Sequence, residues 1–357
     1  GTPLRSRVFG HINALSKLAA PVAPLANLAL RTPLAKPVMS AIGVHPERRL
    51  PTFAARPFTA RWRAYRQGSG GRDRPTRGDA VYFHDTFATY NYPQIAVATV
   101  RLLEAAGFNV IVVEPRACCG RPMLSKGLIA EARKLAKQNV QVLTPYARQG
   151  IPIVGSEPSC ILTLRDEYKD LLPNDPDVAV LAGQTFMIDE FLAKLDAAGE
   201  LGIRWAAGPA AEVFFHGHCH QKAMIGIGPS MAILKAAGCA ARESGAGCCG
   251  MAGSFGFETE HYDVSRKIGE ERLFPAVEAA SARTVVAVAG VSCRQQIDQF
   301  TDRLPVHIAE VLASRIAPGH NWQPSPQVAA EPDGIAPSVR PTSEATAHAR
   351  NTGAGPA

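Results

Sequence analysis

The run Val213-Phe214-Phe215-His216 repeats Val81-Tyr82-Phe83-His84 at an offset of 132 residues. A second landmark follows each run, since the triplet Cys118-Cys119-Gly120 recurs as Cys248-Cys249-Gly250 at an offset of 130 residues. Apolar runs in register with cysteine triplets are typical of an internal repeat. These four stretches decide the fold, because they divide the centre of the chain into two similar units.

A third landmark, the pair Ser159-Cys160, recurs as Ser292-Cys293 at an offset of 133 residues. The constant order predicts a tandem duplication, with repeat one at 79–172 and repeat two at 211–317. Short apolar runs alternate with helical patterns, so we predict an α/β fold of tandem duplicated α/β units with mostly parallel sheets. In repeat one, strands are predicted at 81–83, 110–113 and 151–154, and helices at 94–106, 124–146 and 161–168.

The segments outside the repeats differ in composition. Residues 1–78, the N-terminal arm, carry 14 Lys/Arg against 2 Asp/Glu. Prolines cut the arm into helical pieces, and 51–78 is predicted to be irregular. Residues 173–210 are predicted to be a connector with one helix near 186–197. Residues 318–357 are rich in Pro, Ala, Ser and Thr, so we predict a disordered tail.

The net charge of +7 belongs to the arm, because residues 79–317 hold 22 Lys/Arg against 26 Asp/Glu. This balance excludes the basic footprint of a nucleic-acid-binding core. No run of eighteen apolar residues and no secretory signal occurs, so we expect no transmembrane segment and a cytoplasmic location. The charge of the arm would suit an acidic membrane surface, such as the inner face of the membrane, or nucleic acid. The alternative is a strap that docks on other protein modules.

Eight cysteines are too few for a disulfide-stapled scaffold, and clustered cysteines in a reducing cytosol indicate metal or redox chemistry. Repeat two supplies four candidates, the usual number for an iron–sulfur cluster or a structural zinc, whereas repeat one supplies three and has Phe87 in place of the fourth. Adjacent thiolates suit a cluster better than one zinc ion, and packing as small apolar side chains is the alternative. Cys239 has no counterpart and is expected to be structural. The candidate ligands are Cys118, Cys119, Cys160, Cys219, Cys248, Cys249 and Cys293.

These motifs resemble the CCG cysteine-rich domain family, which occurs in one subunit of heterodisulfide reductase and in the iron–sulfur subunits of glycolate oxidase and anaerobic glycerol-3-phosphate dehydrogenase. The resemblance is closer to the C-terminal iron–sulfur part of fused FAD-linked oxidases of the D-2-hydroxyglutarate dehydrogenase type. The matching stretches are 118–122, 157–160, 216–222, 247–256 and 292–296.

The resemblance implies an iron–sulfur electron-transfer portion of a flavin-dependent 2-hydroxyacid dehydrogenase. Electrons would pass from FAD, through a cluster of the 4Fe–4S type, to a quinone or another acceptor. The sequence contains neither the FAD domain nor the ferredoxin-type module of such fusions, so we expect both on a partner or elsewhere in a longer enzyme. We also expect the chain to be inactive alone. Two alternatives are a module that itself reduces a disulfide-like or quinone acceptor, and a zinc-stabilised interaction module without a redox role.

The sequence departs from the full family pattern, which has five cysteines per repeat. Gly290 occupies one of these positions in repeat two, and Glu157 and Phe87 occupy two in repeat one. We therefore expect a simpler cluster, or a cluster in repeat two only.

Polar residues near the cysteines are candidates for hydrogen bonding to a cluster or for proton supply. His216, His218 and His220 alternate along a predicted strand and would share one face, with capping of the next helix as the alternative. Glu157 would bind iron or cap the helix that follows Pro158, and we favour the cap. The remaining candidates are Lys222, Arg294, Asp85 and Asn91.

Overall fold

The computed structural model describes residues 1–68 and 77–318. The strands are β1 (Gly78–Phe83), β2 (Phe108–Ile111), β3 (Ile153–Gly155), β4 (Thr185–Met187), β5 (Ala211–His216), β6 (Cys239–Glu243), β7 (Val285–Val288) and β8 (Val306–His307). They form two four-stranded sheets of order β2-β1-β3-β4 and β6-β5-β7-β8, with every neighbouring pair parallel. The predicted α/β class is confirmed.

Helices precede the first sheet and connect the strands of both. Those of the arm are α1 (Leu4–Gly10), α2 (Ile12–Ala19), α3 (Ala23–Arg31), α4 (Ala35–Ala41) and α5 (Phe58–Gln67). Those up to β5 are α6 (Thr86–Tyr90), α7 (Pro93–Ala105), α8 (Arg121–Leu124), α9 (Ile129–Ala147), α10 (Pro158–Arg165), α11 (Glu167–Leu171), α12 (Pro176–Gly183) and α13 (Ile188–Ala197). Those after β5 are α14 (Cys219–Met224), α15 (Gly228–Ala236), α16 (Tyr262–Glu271), α17 (Leu273–Glu278), α18 (Val291–Phe300) and α19 (Ile308–Ser314).

The internal repeat is visible in the register of the strands. Val81 pairs with Ile153 in the first sheet, and Val213 pairs with Val285 in the second. Both pairs keep the 132-residue offset of the sequence repeat. Because each apolar run forms the second strand in the order of its own sheet, the two sheets have the same topology.

The stretch 173–210 contributes to both repeats. Its strand β4 pairs with β3 and completes the first sheet. Its helix α13, which agrees with the helix predicted near 186–197, packs on α15 of repeat two. The buried Asp189 carboxylate on α13 accepts hydrogen bonds from the Gln221 amide, at 3.1 Å, and from the Ser230 hydroxyl. This stretch therefore joins the repeats through backbone pairing and a buried polar network.

The N-terminal arm packs against both repeats. On the repeat-two side, Arg5 forms ion pairs with Glu258 and Glu260. On the repeat-one side, the Asn13 amide donates to the Thr86 hydroxyl at 2.8 Å. The arm therefore lies across the face where the two repeats meet.

Two local predictions are wrong. The sequence predicts an irregular chain at 51–78, but the structure has α5 there, because Phe58 and Tyr65 bury one face of a helix. The sequence also predicts one helix at 124–146, but a turn containing Gly127, whose φ is 72°, separates α8 from α9. The predicted disordered tail lies outside the described residues from 319 onward.

None of the helices in the described part of the chain is both long and apolar enough to cross a membrane.

Candidate metal centre

All seven candidate ligands lie just beyond the carboxyl ends of strands. Cys160 and Cys293 occupy the first turns of α10 and α18, and Cys219 begins α14. The two Cys-Cys-Gly triplets lie in the loops that follow β2 and β6. Parallel strands bring such residues to one edge of a sheet, and a helix N-terminus stabilises a thiolate.

The four thiols of repeat two form a string. Each thiol acts on the next in the order Cys219, Cys248, Cys249 and Cys293. These interactions lower the pKa of Cys248 and Cys293 and raise the pKa of Cys219 and Cys249. The four thiols therefore do not all ionise together, because four adjacent negative charges repel one another. Metal binding would replace those protons with positive charge, so the donor set fits a metal centre.

Repeat one brings together an incomplete set of three thiols. The Sγ atoms of Cys119 and Cys160 are 3.2 Å apart. The neighbouring Cys119 thiol, together with burial, raises the pKa of the Cys118 thiol. Phe87, on α6, stands where repeat two has Cys219 and supplies no donor atom. The asymmetry expected from the sequence is therefore present in the fold.

The spacing of the sulfur atoms can be compared with the spacing around a bound zinc ion. Sulfurs around a tetrahedral zinc, with Zn–S bonds of about 2.3 Å, are about 3.8 Å from one another. Among the described residues, no three cysteine Sγ atoms lie within 4.8 Å of one another. Sulfurs that bind different atoms of one cluster need not crowd in this way. The described thiols are therefore not gathered as they would be around one zinc ion.

Both Cys-Cys-Gly turns depend on a left-handed glycine. Gly120 and Gly250 have φ of 89° and 90°. A Cβ atom at position 250 would lie 2.1 Å from the Ser265 carbonyl oxygen, so no larger residue fits without a backbone shift. The Gln296 amide donates to the same oxygen at 2.9 Å and supports the turn from behind. The turn at position 250 therefore requires glycine.

The three histidines do not share one strand face, so that prediction is wrong. β5 ends at His216, and His218 caps α14 by accepting a hydrogen bond from the His220 amide at 3.2 Å. Capping, the alternative from the sequence, is what His218 does. The buried His216 ring helps to lower the pKa of the Cys293 thiol, and its Nδ1 lies 2.9 Å from the Ser244 hydroxyl. His216 therefore lies beside the thiol string.

The charged candidates join elements of the fold. Lys222 donates to the Glu243 carboxylate at 2.7 Å, and Arg294 donates to the Glu310 carboxylate at 3.0 Å. The Arg294 guanidinium also stacks 4.8 Å from the Tyr92 ring centre in repeat one. Both cations are engaged in ion pairs.

The buried carboxylates act as helix caps. Glu157 accepts from the Ser159 amide at 3.3 Å, as favoured from the sequence, and also from the Val291 amide of repeat two at 2.8 Å. Asp85 caps α6 in the same way, with the Phe87 amide at 2.8 Å. Burial raises the pKa of both carboxyl groups. Glu157 therefore ties the α10 turn of repeat one to the α18 turn of repeat two.

Asn91 contacts the arm, and Cys239 lies away from the other thiols. Asn91 donates to the Thr52 carbonyl oxygen at 2.9 Å and so fixes the arm. Cys239 begins β6, at the amino edge of its sheet opposite the candidate ligands. Its separation from the string agrees with the structural role predicted for it.

A cavity of about 470 Å³ lies between the repeats. Cys160 of repeat one and Cys219 of repeat two both line it. Its other walls are largely apolar and include Phe87, Phe257 and, from the arm, Phe9. One thiol of each repeat therefore faces a shared space.

Comparison with known proteins agrees with this geometry. The CCG cysteine-rich domain family matches residues 81–165 and 213–298, the two stretches that contain all seven candidate ligands. The chain contains two CCG domains. Each CCG domain provides the first three strands of one parallel sheet, and the predicted family resemblance is confirmed.

Several curated proteins with related sequences are named as a dehydrogenase, a dehydrogenase subunit or a lactate utilization protein. One subunit of anaerobic glycerol-3-phosphate dehydrogenase from Escherichia coli K12 is 29% identical over 318 residues, which are 88% of this chain and 78% of the relative. D-2-hydroxyglutarate dehydrogenase of the same strain is 30% identical over 216 residues, 60% of this chain and 20% of the relative. Lactate utilization protein A of Exiguobacterium is 27% identical over 234 residues, 62% of this chain and 91% of the relative. The chain is thus homologous to subunits or portions of oxidoreductase complexes.

Sequence reasoning missed the residues that hold the thiol loop of the first CCG domain. The buried Asn139 amide on α9 donates to the Cys118 carbonyl oxygen at 3.0 Å, and the Tyr168 hydroxyl donates to the Cys119 carbonyl oxygen at 3.0 Å. The two side chains also bond to each other at 2.8 Å. An asparagine on the buried face of an amphipathic helix was the available signal.

Proposed function

We propose that the chain is the iron–sulfur electron-transfer portion of a flavin-dependent dehydrogenase whose substrate is a 2-hydroxyacid of the glycolate, D-lactate or D-2-hydroxyglutarate type. It would receive electrons from FAD on another domain or subunit and pass them to a quinone or another acceptor. The observation that carries the proposal is the string of four thiols at the sheet edge of the second CCG domain. The relatives support the class, since two of them are named as dehydrogenases.

The chain's own residues have defined tasks in this proposal. The metal core would be held by Cys219, Cys248, Cys249 and Cys293, while Cys118, Cys119 and Cys160 line a second, incomplete site. An iron–sulfur core supplies one-electron transfer when bound. Burial of Cys249 and Cys293 excludes water, and the buried His216 ring helps to lower the pKa of the Cys293 thiol.

Anaerobic reconstitution tests the proposal. Iron and sulfide per chain are measured first, and zinc without either would support the interaction-module alternative. The reconstituted chain is then mixed with glycolate, D-lactate and D-2-hydroxyglutarate, and its visible absorption is followed. We expect no bleaching until a reduced flavoprotein is added, because hydride transfer needs a flavin or nicotinamide. Bleaching by a hydroxyacid alone would contradict the electron-transfer function.

A second function is supported by the shared cavity. With Cys160 and Cys219 both on its walls, a bound acceptor would lie against one thiol of each repeat and be reduced there. The apolar walls suit a quinone better than a charged disulfide. Phe87→Trp should fill part of the cavity and slow reduction of a soluble quinone by the reduced chain, while iron content stays constant. An unchanged rate would place the acceptor elsewhere.

The arm has the surface expected of a strap for the flavoprotein or ferredoxin-type module. Residues 1–46 contain no Asp or Glu, and Leu18, Leu25 and Leu34 are 75%, 69% and 75% exposed. Exposed apolar side chains amid positive charge suit an acidic, partly apolar partner surface. Leu18→Glu combined with Leu25→Glu should slow electron entry from the reduced flavoprotein without changing iron content. Loss of flotation with anionic vesicles, and no effect on electron entry, would instead favour the membrane alternative.

A further inference from the structure

Arg48, in the N-terminal arm, is a buried charge with neutral partners. It is 3% exposed, and its guanidinium donates to the Gly256 carbonyl, to the Gln296 side-chain oxygen at 2.9 Å and to the Ser265 hydroxyl at 2.8 Å. Within the described residues it makes no ion pair with a carboxylate. A permanently charged group in this position calls for a compensating negative charge nearby.

The partners of Arg48 also support the Cys248-Cys249-Gly250 turn. A Cβ atom at Gly250 would lie 2.1 Å from the Ser265 carbonyl oxygen and 3.2 Å from the Gln296 amide nitrogen. The guanidinium is therefore separated from the turn by one layer of side chains. The rings of Tyr262 and Phe300, centred 4.9 and 5.0 Å from the guanidinium carbon, close its other sides against water.

The positive charge of Arg48 interacts electrostatically with the thiol string. Burial lowers the pKa of Arg48 to about 10, and the Tyr262 hydroxyl and the Cys249 thiol act in the opposite direction. Across a water-poor layer, a fixed positive charge favours any process that adds negative charge to the other side. Reduction of a thiolate-bound metal centre is such a process.

We propose that Arg48 is a positioning residue that supplies the counter-charge for the metal centre of the second CCG domain and raises its reduction potential. This inference rests on the proposed function, because it needs a redox-active centre on the thiol string. It assigns the arm an electrostatic role in addition to its packing role.

The test is a redox titration of the anaerobically reconstituted full chain, followed by electron paramagnetic resonance. In Arg48→Gln we expect the ratio of oxidised to reduced centre at a fixed potential to rise at least tenfold, which is about 59 mV for a one-electron couple. Arg48→Lys retains the charge and should keep a potential near that of the wild type, even if it loses stability. Gln299→Glu should lower the potential while retaining Arg48, because it places a carboxylate where the Gln299 side-chain oxygen now accepts from Arg48 at 3.4 Å.

The matched control is Arg303→Gln. Arg303 is 5% exposed and donates to the carbonyls of Ala280 and Thr284, near the amino end of β7 and thus at the opposite edge of the sheet. Its substitution should reduce stability and leave the potential unchanged.

Distinct results overturn the inference and the proposed function. Normal iron content with wild-type potentials in both Arg48→Gln and Gln299→Glu overturns the role of Arg48 alone. Equal shifts in Arg48→Gln and Arg303→Gln would also overturn it, because they would indicate a general structural effect. If Arg48→Gln does not fold, Gln299→Glu decides the question. A wild-type chain that takes up no iron overturns the proposed function first.

Discussion

At the scale of single residues, Cys239 and the thiol string offer a direct contrast. Cys248→Ser and Cys293→Ser should each lose most of the bound iron, because a serine hydroxyl is a poor replacement for a thiolate ligand. Cys239→Ser should bind iron like the wild type, because position 239 begins β6 at the other edge of the sheet. Iron and sulfide per chain after anaerobic reconstitution are the measurement. Equal iron loss in all three variants would show that the ligand assignment is wrong.

Asp189 gives a prediction of pH dependence outside the metal centre. Burial raises the pKa of its carboxyl group. A carboxyl group with a raised pKa in the folded state binds its proton more tightly there than in the unfolded chain. Its favourable contribution is therefore present below its unfolded pKa of about 3.9 and is lost as the pH rises through the folded pKa.

Asp189→Asn removes this titration and keeps an oxygen for Gln221 and Ser230. We expect the free energy of unfolding of the variant, relative to the wild type, to increase between pH 4 and pH 7. Urea unfolding at both pH values measures the difference. A difference that does not vary with pH would show that Asp189 does not titrate as its burial implies.

At the scale of structural elements, the glycine turn behind the thiols is the most demanding local structure. Gly250→Ala should cost more than the roughly 1–2 kcal/mol of one left-handed residue, because the Ser265 carbonyl would also have to move. Gly245→Ala is the control, since its φ is 69° but an added Cβ meets nothing within 4 Å. We expect Gly245→Ala to lose about 1–2 kcal/mol and to keep its iron, and Gly250→Ala to lose both stability and iron. Chemical denaturation and iron analysis measure the two effects.

The strands and helices that could be predicted from the sequence are those determined by the local pattern of apolar residues. Short apolar runs predicted the strands near Val81 and Ile153, and the parallel topology places the cysteines at one edge of each sheet. The prediction that three histidines share one strand face was wrong, because the strand ends before Gly217 and the His218 side chain caps the next helix. Arg48 was not identified, because its partners at 256, 265 and 296 are more than two hundred residues away in the chain. Local periodicity carries no information about such contacts.

At the scale of the whole molecule, the two repeats share one apolar core. Leu102 on α7 and Leu312 on α19 belong to the same buried cluster, and these two helices pack together. The His307 ring in repeat two lies 3.1 Å from the Ser156 carbonyl oxygen in repeat one. The repeats are therefore mutually dependent in structure.

Residues 211–317 produced alone should consequently lack a cooperative unfolding transition, because α19 would expose the surface that α7 now covers. Circular dichroism during urea titration measures this, with residues 1–318 as the control. A sharp transition for the short fragment, at the same urea concentration as the control, would contradict the prediction.

The common strand order of the two sheets also indicates that the two halves of the polypeptide arose by duplication. Strand-end positions in one half have counterparts at the same points of the other, and a few of these pairs have diverged: Cys219 opposes Phe87, and Gly290 opposes Glu157. The divergence of the two halves can then be tested by giving one half the residue that the other half has at the same position. Phe87→Cys restores a fourth thiol to the first half, and a rise in iron per chain would show that one substitution separates a degenerate copy from a working one.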